Sequence, residues 1–226
     1  MEYNAMIYPG LEVCLEKLAV ENPEISDIHI SARRDLVQAV CELKEKQDSV
    51  SIIMVCTGNS RRSMMGAAMG NAAVAYHGLD GIRFFSGGTK PSAFNPRAIR
   101  ALREMGFVIH ETGENAPPGA DGEFNPCYNV HWGIGNCFTR EFSKRYDDLA
   151  NPRKDFIAIM VCDEADMECP TAQGAFRRIS APFADPKEFD GTDQESARYA
   201  QRRDDLGRFM LSTFEMVRAE LKRQRC

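Results

Sequence analysis

Short apolar runs alternate along the chain with segments of helical periodicity. Most of the runs are continuous and rich in β-branched residues, which is typical of strands buried on both faces of a sheet. We predict four strands, at residues 50–55, 82–85, 156–161 and 178–183. Strands that alternate with helices form parallel sheets through right-handed crossovers. The pattern therefore predicts an α/β fold with a four-stranded parallel sheet flanked by helices on both faces.

Apolar residues spaced three and four apart mark the helices, and turn or capping residues mark their ends. We predict a helix at residues 63–77 and a second one that Asn95 caps and Pro96 begins. The last helix follows a capping box at residues 192–195, Thr-Asp-Gln-Glu. These helices follow predicted strands in the order that an α/β domain requires.

Two segments lie outside this alternation. Residues 1–49 carry two helical apolar stripes and no strand, so we predict an N-terminal helical extension that packs on the domain. Residues 108–155 are rich in Gly, Pro and Asn, and we predict an inserted loop region with a hairpin around residues 128–132 and 137–142. The α/β domain then spans residues 50–226, with the insertion inside it.

Composition narrows the class of protein. The 226 residues are 43% apolar and 27% charged, which is the balance of a soluble globular protein. The longest apolar runs are too short to cross a bilayer, and the N-terminus lacks a basic leader followed by an apolar stretch. The net charge of −5 argues against nucleic acid as a partner. We therefore expect a cytoplasmic protein that acts neither on a membrane nor on nucleic acid.

Eight cysteines in such a protein are expected to be core residues, metal ligands or reactive thiols rather than structural disulfides. The chain has no Cys-x-x-Cys pair and its four histidines are scattered, so we expect no metal site. Reactive thiols and plain core residues remain as alternatives that the count alone does not separate.

A turn between the first predicted strand and the following helix carries the candidate chemistry. Its sequence is Cys56-Thr57-Gly58-Asn59-Ser60-Arg61-Arg62-Ser63. Consecutive N–H groups at such a junction surround a concavity at the positive end of the helix dipole, which favours an anion. Arg62 can add two parallel hydrogen bonds to a tetrahedral oxyanion, and Ser63 can donate to the sulfur. We expect Cys56 to act there as a thiolate nucleophile.

These residues resemble the phosphate loop of low-molecular-weight protein tyrosine phosphatases and of thioredoxin-coupled arsenate reductases. The resemblance covers about residues 50–106 and 156–222, and includes Ser86-Gly87-Gly88 and Asn95-Pro96. It implies the four-stranded parallel sheet and an oxyanion site made by Thr57, Gly58, Asn59, Ser60, Arg61, Arg62 and Ser63. Arg61 departs from the pattern, because both families commonly have a second cysteine there.

The resemblance also implies a general acid. In this superfamily the proton donor is an Asp directly before a Pro, on a loop late in the chain, and Asp185 before Pro186 matches it. A simple turn is the alternative reading of this dipeptide, since both residues favour turns. Asp147 and Asp148 are rival acids within the insertion.

A pair of later thiols favours one branch of the superfamily. Cys162 and Cys169 lie about two helical turns apart, too far for a disulfide unless the acidic segment between them unwinds. Their spacing and surroundings resemble the thiol pair of the arsenate reductases. The resemblance implies a relay from Cys56 to Cys162 to Cys169, with thioredoxin as the external reductant and no bound cofactor. The alternative is a buried filler at Cys162 and an incidental surface thiol at Cys169.

Three functions remain open. The first is a thioredoxin-coupled arsenate reductase, which the residue Thr57 and the lack of paired tyrosines after Asp185-Pro186 favour. The second is a low-molecular-weight protein tyrosine phosphatase that forms a phosphocysteine at Cys56. The third is a phosphate-binding regulator without turnover. The fold does not separate them, because all three share it, and the reductases commonly keep some phosphatase activity.

Overall fold

A computed structural model describes residues 7–21, 27–120, 122–168 and 171–224. Its strands are β1 Val50–Cys56, β2 Ile82–Gly88, β3 Val108–Asn115, β4 Pro126–His131, β5 Phe138–Glu141, β6 Phe156–Met160 and β7 Ala175–Ser180. Its helices are α1 Pro9–Val20, α2 Asp27–Lys46, α3 Arg62–Tyr76, α4 Pro96–Met105, α5 Asp163–Glu168 and α6 Glu195–Gln224. A single turn of 3-10 helix spans Pro186–Phe189. Within the described residues, no helix is both long enough and apolar enough to cross a membrane.

The main sheet has the strand order β2-β1-β6-β7 and all its pairs are parallel. The predicted four-stranded parallel sheet flanked by helices is therefore confirmed. Strand β1 lies in the interior of the sheet, and its residues from Ile52 onward are buried, as the continuous apolar run predicted. Because parallel strands end at one edge, β1, β2 and β6 deliver their last residues to the same side of the molecule.

The predicted position of the fourth strand was wrong. It was placed at residues 178–183, whereas β7 spans Ala175–Ser180. The strand lies at an edge of the sheet and is only half-buried, so it begins before Arg177 and accommodates this residue, which the predicted strand left out. The residues after it continue as an extended segment, in which Ala181 N–H donates to Met160 O and Phe183 N–H to Val161 O. This segment leads the chain to the candidate site.

The inserted region contains a second sheet. Strands β3, β4 and β5 pair in antiparallel order, and β4 with β5 forms the hairpin that the sequence predicted. Cys127 and Cys137 do not oppose each other in this hairpin, because Cys137 O accepts from Trp132 N–H at one end while Cys127 lies at the other. Both are free thiols.

Helix α6 joins the layers. It contacts α1, α2, α3 and α4, and its apolar stripe includes Leu206, Phe209, Met210 and Phe214, all buried. The Asn22-Pro23 step favours a break between the two apolar stripes of residues 1–49, and it lies outside the described residues. The helices on either side of it, α1 and α2, bury Leu11, Leu15 and Leu36. That residues 1–49 form an extension and that the α/β domain begins at residue 50 stays a prediction.

His29 connects α2 to the segment that precedes the candidate acid. Its Nε2 donates to Pro182 O at 2.9 Å, and its ring stacks on Phe183 at 4.4 Å between centroids. Burial lowers the pKa of His29 below its ordinary value, although the bond to Pro182 opposes this. The native state therefore resists protonation more than the unfolded chain does, and stability is lost as the pH falls below about 6.5.

We expect urea unfolding to give a smaller free energy of unfolding at pH 5.5 than at pH 7.5. The variant His29→Gln is expected to narrow this difference, because glutamine does not titrate. An unaltered pH dependence in His29→Gln would contradict the assignment.

Candidate functional site

Cys56 is the last residue of β1 and is buried, 4% exposed. Its Sγ lies 3.1 Å from Ser63 Oγ in the first turn of α3. Asn59 Nδ2 donates to the same hydroxyl oxygen at 2.9 Å. A hydroxyl that accepts from an amide still has its own proton to donate, and the nearby sulfur is the acceptor in position for it. Ser63 is thus placed to stabilise negative charge on Cys56.

The loop between β1 and α3 turns its carbonyls outward. Four of them accept main-chain bonds from residues 89–95: Thr89 N to Cys56 O at 3.2 Å, Lys90 N to Thr57 O at 2.8 Å, Ser92 N to Gly58 O at 2.9 Å and Asn95 N to Ser60 O at 3.0 Å. In a trans peptide the N–H points opposite to the C=O, so the N–H groups of the following residues face into the concavity. Asn59 completes the turn with a φ of 42°. The loop therefore has the form of an anion nest.

The inserted region braces this loop. Ser143 Oγ donates to Gly58 O at 3.0 Å, and Lys144 N–H donates to Asn59 Oδ1 at 2.8 Å. Lys144 O in turn accepts from Gly88 N–H at 2.9 Å. Sequence reasoning missed this contact, because the partners are 85 positions apart and the bonds use ordinary polar groups. The insertion is consequently part of the site.

Arg62 and Asp185 meet across the concavity. Arg62 is buried, and its Nη2 lies 2.8 Å from Asp185 Oδ2 while Nη1 donates to Phe183 O at 3.0 Å. The other carboxylate oxygen, Oδ1, accepts from Lys187 N–H at 3.1 Å, so Asp185 also caps the 3-10 helix. The structure thus brings the expected acid to the loop and gives Arg62 a partner that an oxyanion must displace.

The rival acids are engaged elsewhere. Arg145 forms an ion pair with Asp147 at 2.8 Å, away from the loop, and this hydrogen bond holds the pKa of Asp147 below its ordinary range. Asp148 Oδ1 accepts from Ala150 N–H at 2.8 Å within its own turn. Neither contacts Arg62 or Cys56 among the recorded hydrogen bonds of the described residues, so Asp185 is the better candidate.

Arg61 directs its guanidinium to the rim rather than into the concavity. Its Nε donates to Tyr199 Oη at 3.1 Å, and its Nη1 lies 3.7 Å from Asp185 Oδ2. Sequence reasoning missed Tyr199, since it appeared only as one aromatic residue in the last helix. Arg61 can still offer its main-chain N–H to an anion. Its side chain instead contacts Tyr199 and Asp185, the first residue of the segment 185–190, which we call the acid loop.

Cys162 lies beside the loop, two residues after the neighbouring strand β6 ends. The pairing of Val55 with Met160 places residues 56 and 162 at adjacent strand ends, and Cys162 Sγ lies 3.6 Å from Thr57 Oγ1. The thiol is fully buried, and burial raises its pKa above the ordinary value, although Arg62 and Thr57 lower it in part. Cys162 is therefore held mainly as the protonated thiol. Cys169 lies outside the described residues.

The helix α5 that follows Cys162 is anchored to β7. Asp166 N–H donates to Cys162 O at 3.1 Å, Arg178 Nη2 donates to Asp166 O at 2.6 Å, and Ser180 Oγ donates to Asp166 Oδ2 at 3.1 Å. The acidic segment is helical over Asp163–Glu168, and the contacts of Asp166 hold this helix against β7. Any unwinding must break these contacts.

The remaining loop residues have structural partners. Ser60 Oγ donates to Ala93 O at 2.6 Å, so its hydroxyl points away from the concavity. Its main-chain N–H and that of Gly58 remain the groups offered to an anion. Within residues 7–21, 27–120, 122–168 and 171–224, no cluster of three or more His, Cys, Asp or Glu side chains is placed to hold a metal ion.

Gly88 has no room for a side chain. A Cβ there would lie 2.6 Å from Thr57 O and 2.8 Å from Asn59 N, and these main-chain atoms cannot swing aside. We expect Gly88→Ala to displace the loop and lower kcat/KM for p-nitrophenyl phosphate by about 100-fold, the usual cost of a shift of about 1 Å at a reacting centre. The inhibition constant of inorganic phosphate should rise with it.

Gly10→Ala is the matched control, because a Cβ at Gly10 meets no heavy atom within 4 Å. It should leave both constants unchanged. A Gly88→Ala enzyme of normal kcat/KM would show that the close approach of β2 does not set the shape of the loop.

Known proteins resemble this chain. The family model of low molecular weight phosphotyrosine protein phosphatase matches residues 51–116. Arsenate reductase 2 of Staphylococcus epidermidis is 35% identical over 139 residues, covering 62% of this chain and 80% of that protein. The arsenate reductase of Halalkalibacterium halodurans is 26% identical over 158 residues, covering 70% and 89%. The solution structure of a low molecular weight protein tyrosine phosphatase from Bacillus subtilis has 18% identity and a TM-score of 0.48, covering 78% of this chain and 100% of that one.

Proposed function

We propose that this protein is a thioredoxin-coupled arsenate reductase. The chain belongs to the low-molecular-weight protein tyrosine phosphatase superfamily and is an enzyme of its arsenate reductase or phosphatase kind, which is the premise of the proposal. A cysteine-based mechanism comes with the family. The choice of arsenate, the three-thiol relay and the reductant are the proposal. Thioredoxin acts as a dithiol in the reducing cytoplasm, which is where we place the enzyme.

One observation carries this choice: a second thiol, Cys162, is buried against the loop that holds the nucleophile, 3.6 Å from Thr57 Oγ1. Phosphate ester hydrolysis needs one cysteine, whereas reduction of arsenate needs two electrons from a pair of thiols. A thiol at the adjacent strand end is in the right place to supply the second sulfur. The names of the relatives point the same way.

The first step joins sulfur to arsenic. Cys56 attacks arsenate that is held by the main-chain N–H groups of residues 57–63 and by Arg62. To bind two arsenate oxygens, the Arg62 guanidinium gives up its ion pair with Asp185. Asp185 protonates the departing oxygen, which leaves as water, and a Cys56–arsenic(V) adduct forms. Ser63 stabilises the thiolate before the attack through the 3.1 Å contact.

The second step reduces arsenic. Cys162 loses its proton and attacks the sulfur of Cys56, so a disulfide forms while the electron pair of the sulfur–arsenic bond stays on arsenic and arsenite leaves. Arg62, one of the groups that lower the pKa of Cys162, lies at the same site. The protein is oxidised by two electrons and arsenic(V) becomes arsenic(III), which balances the step.

The third step exports the disulfide. Cys169 displaces Cys56, giving a Cys162–Cys169 disulfide that thioredoxin reduces. Helix α5, Asp163–Glu168, separates the two cysteines in sequence, and six residues of helix rise about 9 Å at about 1.5 Å each, more than the roughly 7 Å that a disulfide allows between Cα atoms. Helix α5 must therefore unwind and release Asp166 from Arg178 and Ser180.

A phosphatase is the second candidate, and the family model of low molecular weight phosphotyrosine protein phosphatase, which matches residues 51–116, favours it. In that reaction Cys56 attacks phosphorus, Asp185 protonates the leaving alcohol, and water then hydrolyses the phosphocysteine. Cys162 and Cys169 would have no part in it. The two functions share every group except these thiols.

The decisive assay combines arsenate with thioredoxin, thioredoxin reductase and NADPH, and follows NADPH oxidation at 340 nm. We expect oxidation that depends on arsenate, with one arsenite formed for each NADPH. Phosphate should inhibit it competitively, because both oxyanions use the same concavity. Hydrolysis of p-nitrophenyl phosphate without any arsenate-dependent NADPH oxidation would reject the reductase and leave the phosphatase.

A further inference from the structure

A hydrogen-bonded chain links the phosphate loop to both ends of the acid loop. Arg61 Nε donates to Tyr199 Oη at 3.1 Å, and Tyr199 Oη donates to Asp190 Oδ1 at 2.8 Å. The same guanidinium places Nη1 3.7 Å from Asp185 Oδ2. Asp185 precedes the 3-10 helix Pro186–Phe189 and Asp190 follows it. One arginine therefore contacts the acid directly and the far end of its helix through a tyrosine.

The direction of these bonds is fixed by protonation. Tyr199 is only 1% exposed, and burial together with Asp190 raises the pKa of its phenol above the ordinary value. The phenol thus stays protonated, accepts from Arg61 and donates its only proton to Asp190. A guanidinium is required here, because its N–H groups lie in a fixed planar fork and can face a phenol and a carboxylate at once. A single ammonium group could not contact both.

Occupation of the site changes which cation holds the acid. In the structure Arg62 is the nearer partner of Asp185, at 2.8 Å against 3.7 Å for Arg61. An oxyanion that binds Arg62 removes that contact. Arg61 then remains beside the carboxyl group, and its bond to Tyr199 lies outside the concavity, so substrate does not compete for it.

We propose that Arg61 and Tyr199 are positioning residues for the general acid Asp185. They hold the acid loop over the phosphate loop while substrate occupies Arg62. The inference rests on the proposed function in one respect, the role of Asp185 as proton donor, which both the reductase and the phosphatase reactions use. It assigns a purpose to the arginine that stands where the related families commonly have a cysteine.

Leaving-group dependence tests this assignment. An acid matters more when the departing oxygen is basic, so kcat/KM should be measured for phenyl phosphate and for p-nitrophenyl phosphate. Asp185→Asn is the reference and should lose about 100-fold more on phenyl phosphate than on p-nitrophenyl phosphate, within the usual range for general acid catalysis. Tyr199→Phe and Arg61→Lys should lose about tenfold more on phenyl phosphate, as expected for a displaced rather than absent acid.

A purely structural role predicts equal losses on the two esters, so equal losses in both variants would overturn the proposal. In the Asp185→Asn background, Tyr199→Phe should cause no further loss that depends on the leaving group, because the acid is already gone. A further selective loss would also overturn it. If Tyr199→Phe does not fold, Arg61→Lys carries the test, since its side chain lies at the rim, 17% exposed.

Tyr76→Phe is the matched control. Tyr76 is the last residue of α3, at the opposite end of this helix from the phosphate loop, so Tyr76→Phe should leave the hydrolysis of both esters unaffected. Wild-type enzyme that hydrolyses neither ester would overturn the positioning role on this reaction, whereas the reductase proposal fails only in the NADPH assay. The two failures are therefore distinguishable.

Discussion

Cys162→Ser is expected to stop thioredoxin-dependent arsenate turnover while hydrolysis of p-nitrophenyl phosphate stays within about threefold of wild type, because ester hydrolysis uses only the nucleophile and acid. Cys162 lies beside the loop but reaches no reacting oxygen of a phosphate ester in the proposed reaction. Serine keeps the size and the contact with Thr57 Oγ1, so the loop should be preserved. Without the second sulfur, the arsenic adduct on Cys56 has no internal reductant and arsenite is not released.

Cys41→Ser is the matched control for this variant. Cys41 is also buried, and burial raises its pKa to about 11, but it lies on α2 and away from the loop. It should keep full arsenate turnover. Cys162→Ser enzyme that still oxidises NADPH with arsenate would remove the relay from the mechanism, and equal loss of ester hydrolysis would show that the substitution damaged the loop instead.

Cys56→Ser is expected to abolish both activities, with a fall of roughly 10⁴-fold or more, as for loss of other essential nucleophiles. A serine hydroxyl is not ionised near neutral pH, so the site would have no anionic nucleophile for the inward-facing N–H groups of the loop to stabilise. The nest itself is made of main-chain atoms and should survive. Calorimetry should therefore show that phosphate still binds within about tenfold of wild type, the effect of about 1.4 kcal/mol.

Cys137→Ser provides the comparison here, since this buried thiol lies in the insertion outside the site. Its variant should retain both activities. Substantial arsenate or ester turnover by Cys56→Ser would remove the nucleophile on which the whole assignment depends. Loss of phosphate binding along with activity would show that serine had rearranged the loop.

The order of elements could be predicted from the sequence because burial on two faces leaves an unmistakable pattern. Strands β1 and β6 lie in the interior of the sheet, and apart from Ser51 they consist of apolar residues. The edge strand β7 was misplaced because it is half-buried along most of its length and its arginines interrupt the apolar pattern. The third strand of the inserted sheet, β3, was not predicted, since its mixture of charged residues at 108–115 gives no apolar alternation.

The local part of the site could also be predicted, because the chemistry of residues 56–63 is contained in one loop between two regular elements. The bonds that connect distant segments could not. Ser143 and Lys144 hold the loop by a hydroxyl and a main-chain N–H, which have no distinctive sequence signal. Tyr199 contacts Arg61 only because α6 passes the loop in space. Such partners become visible only when the fold brings them together.

The bracing of the loop by Ser143 and Lys144 limits how this protein can be shortened. An engineer seeking a minimal catalyst would trim residues 108–155, the segment that the sequence predicts to be an insertion. Trimming them would remove the Ser143 hydroxyl that donates to Gly58 O and the Lys144 N–H that donates to Asn59 Oδ1. A shortened design must therefore supply two replacement donors at those positions, because this segment supports the loop that holds Cys56.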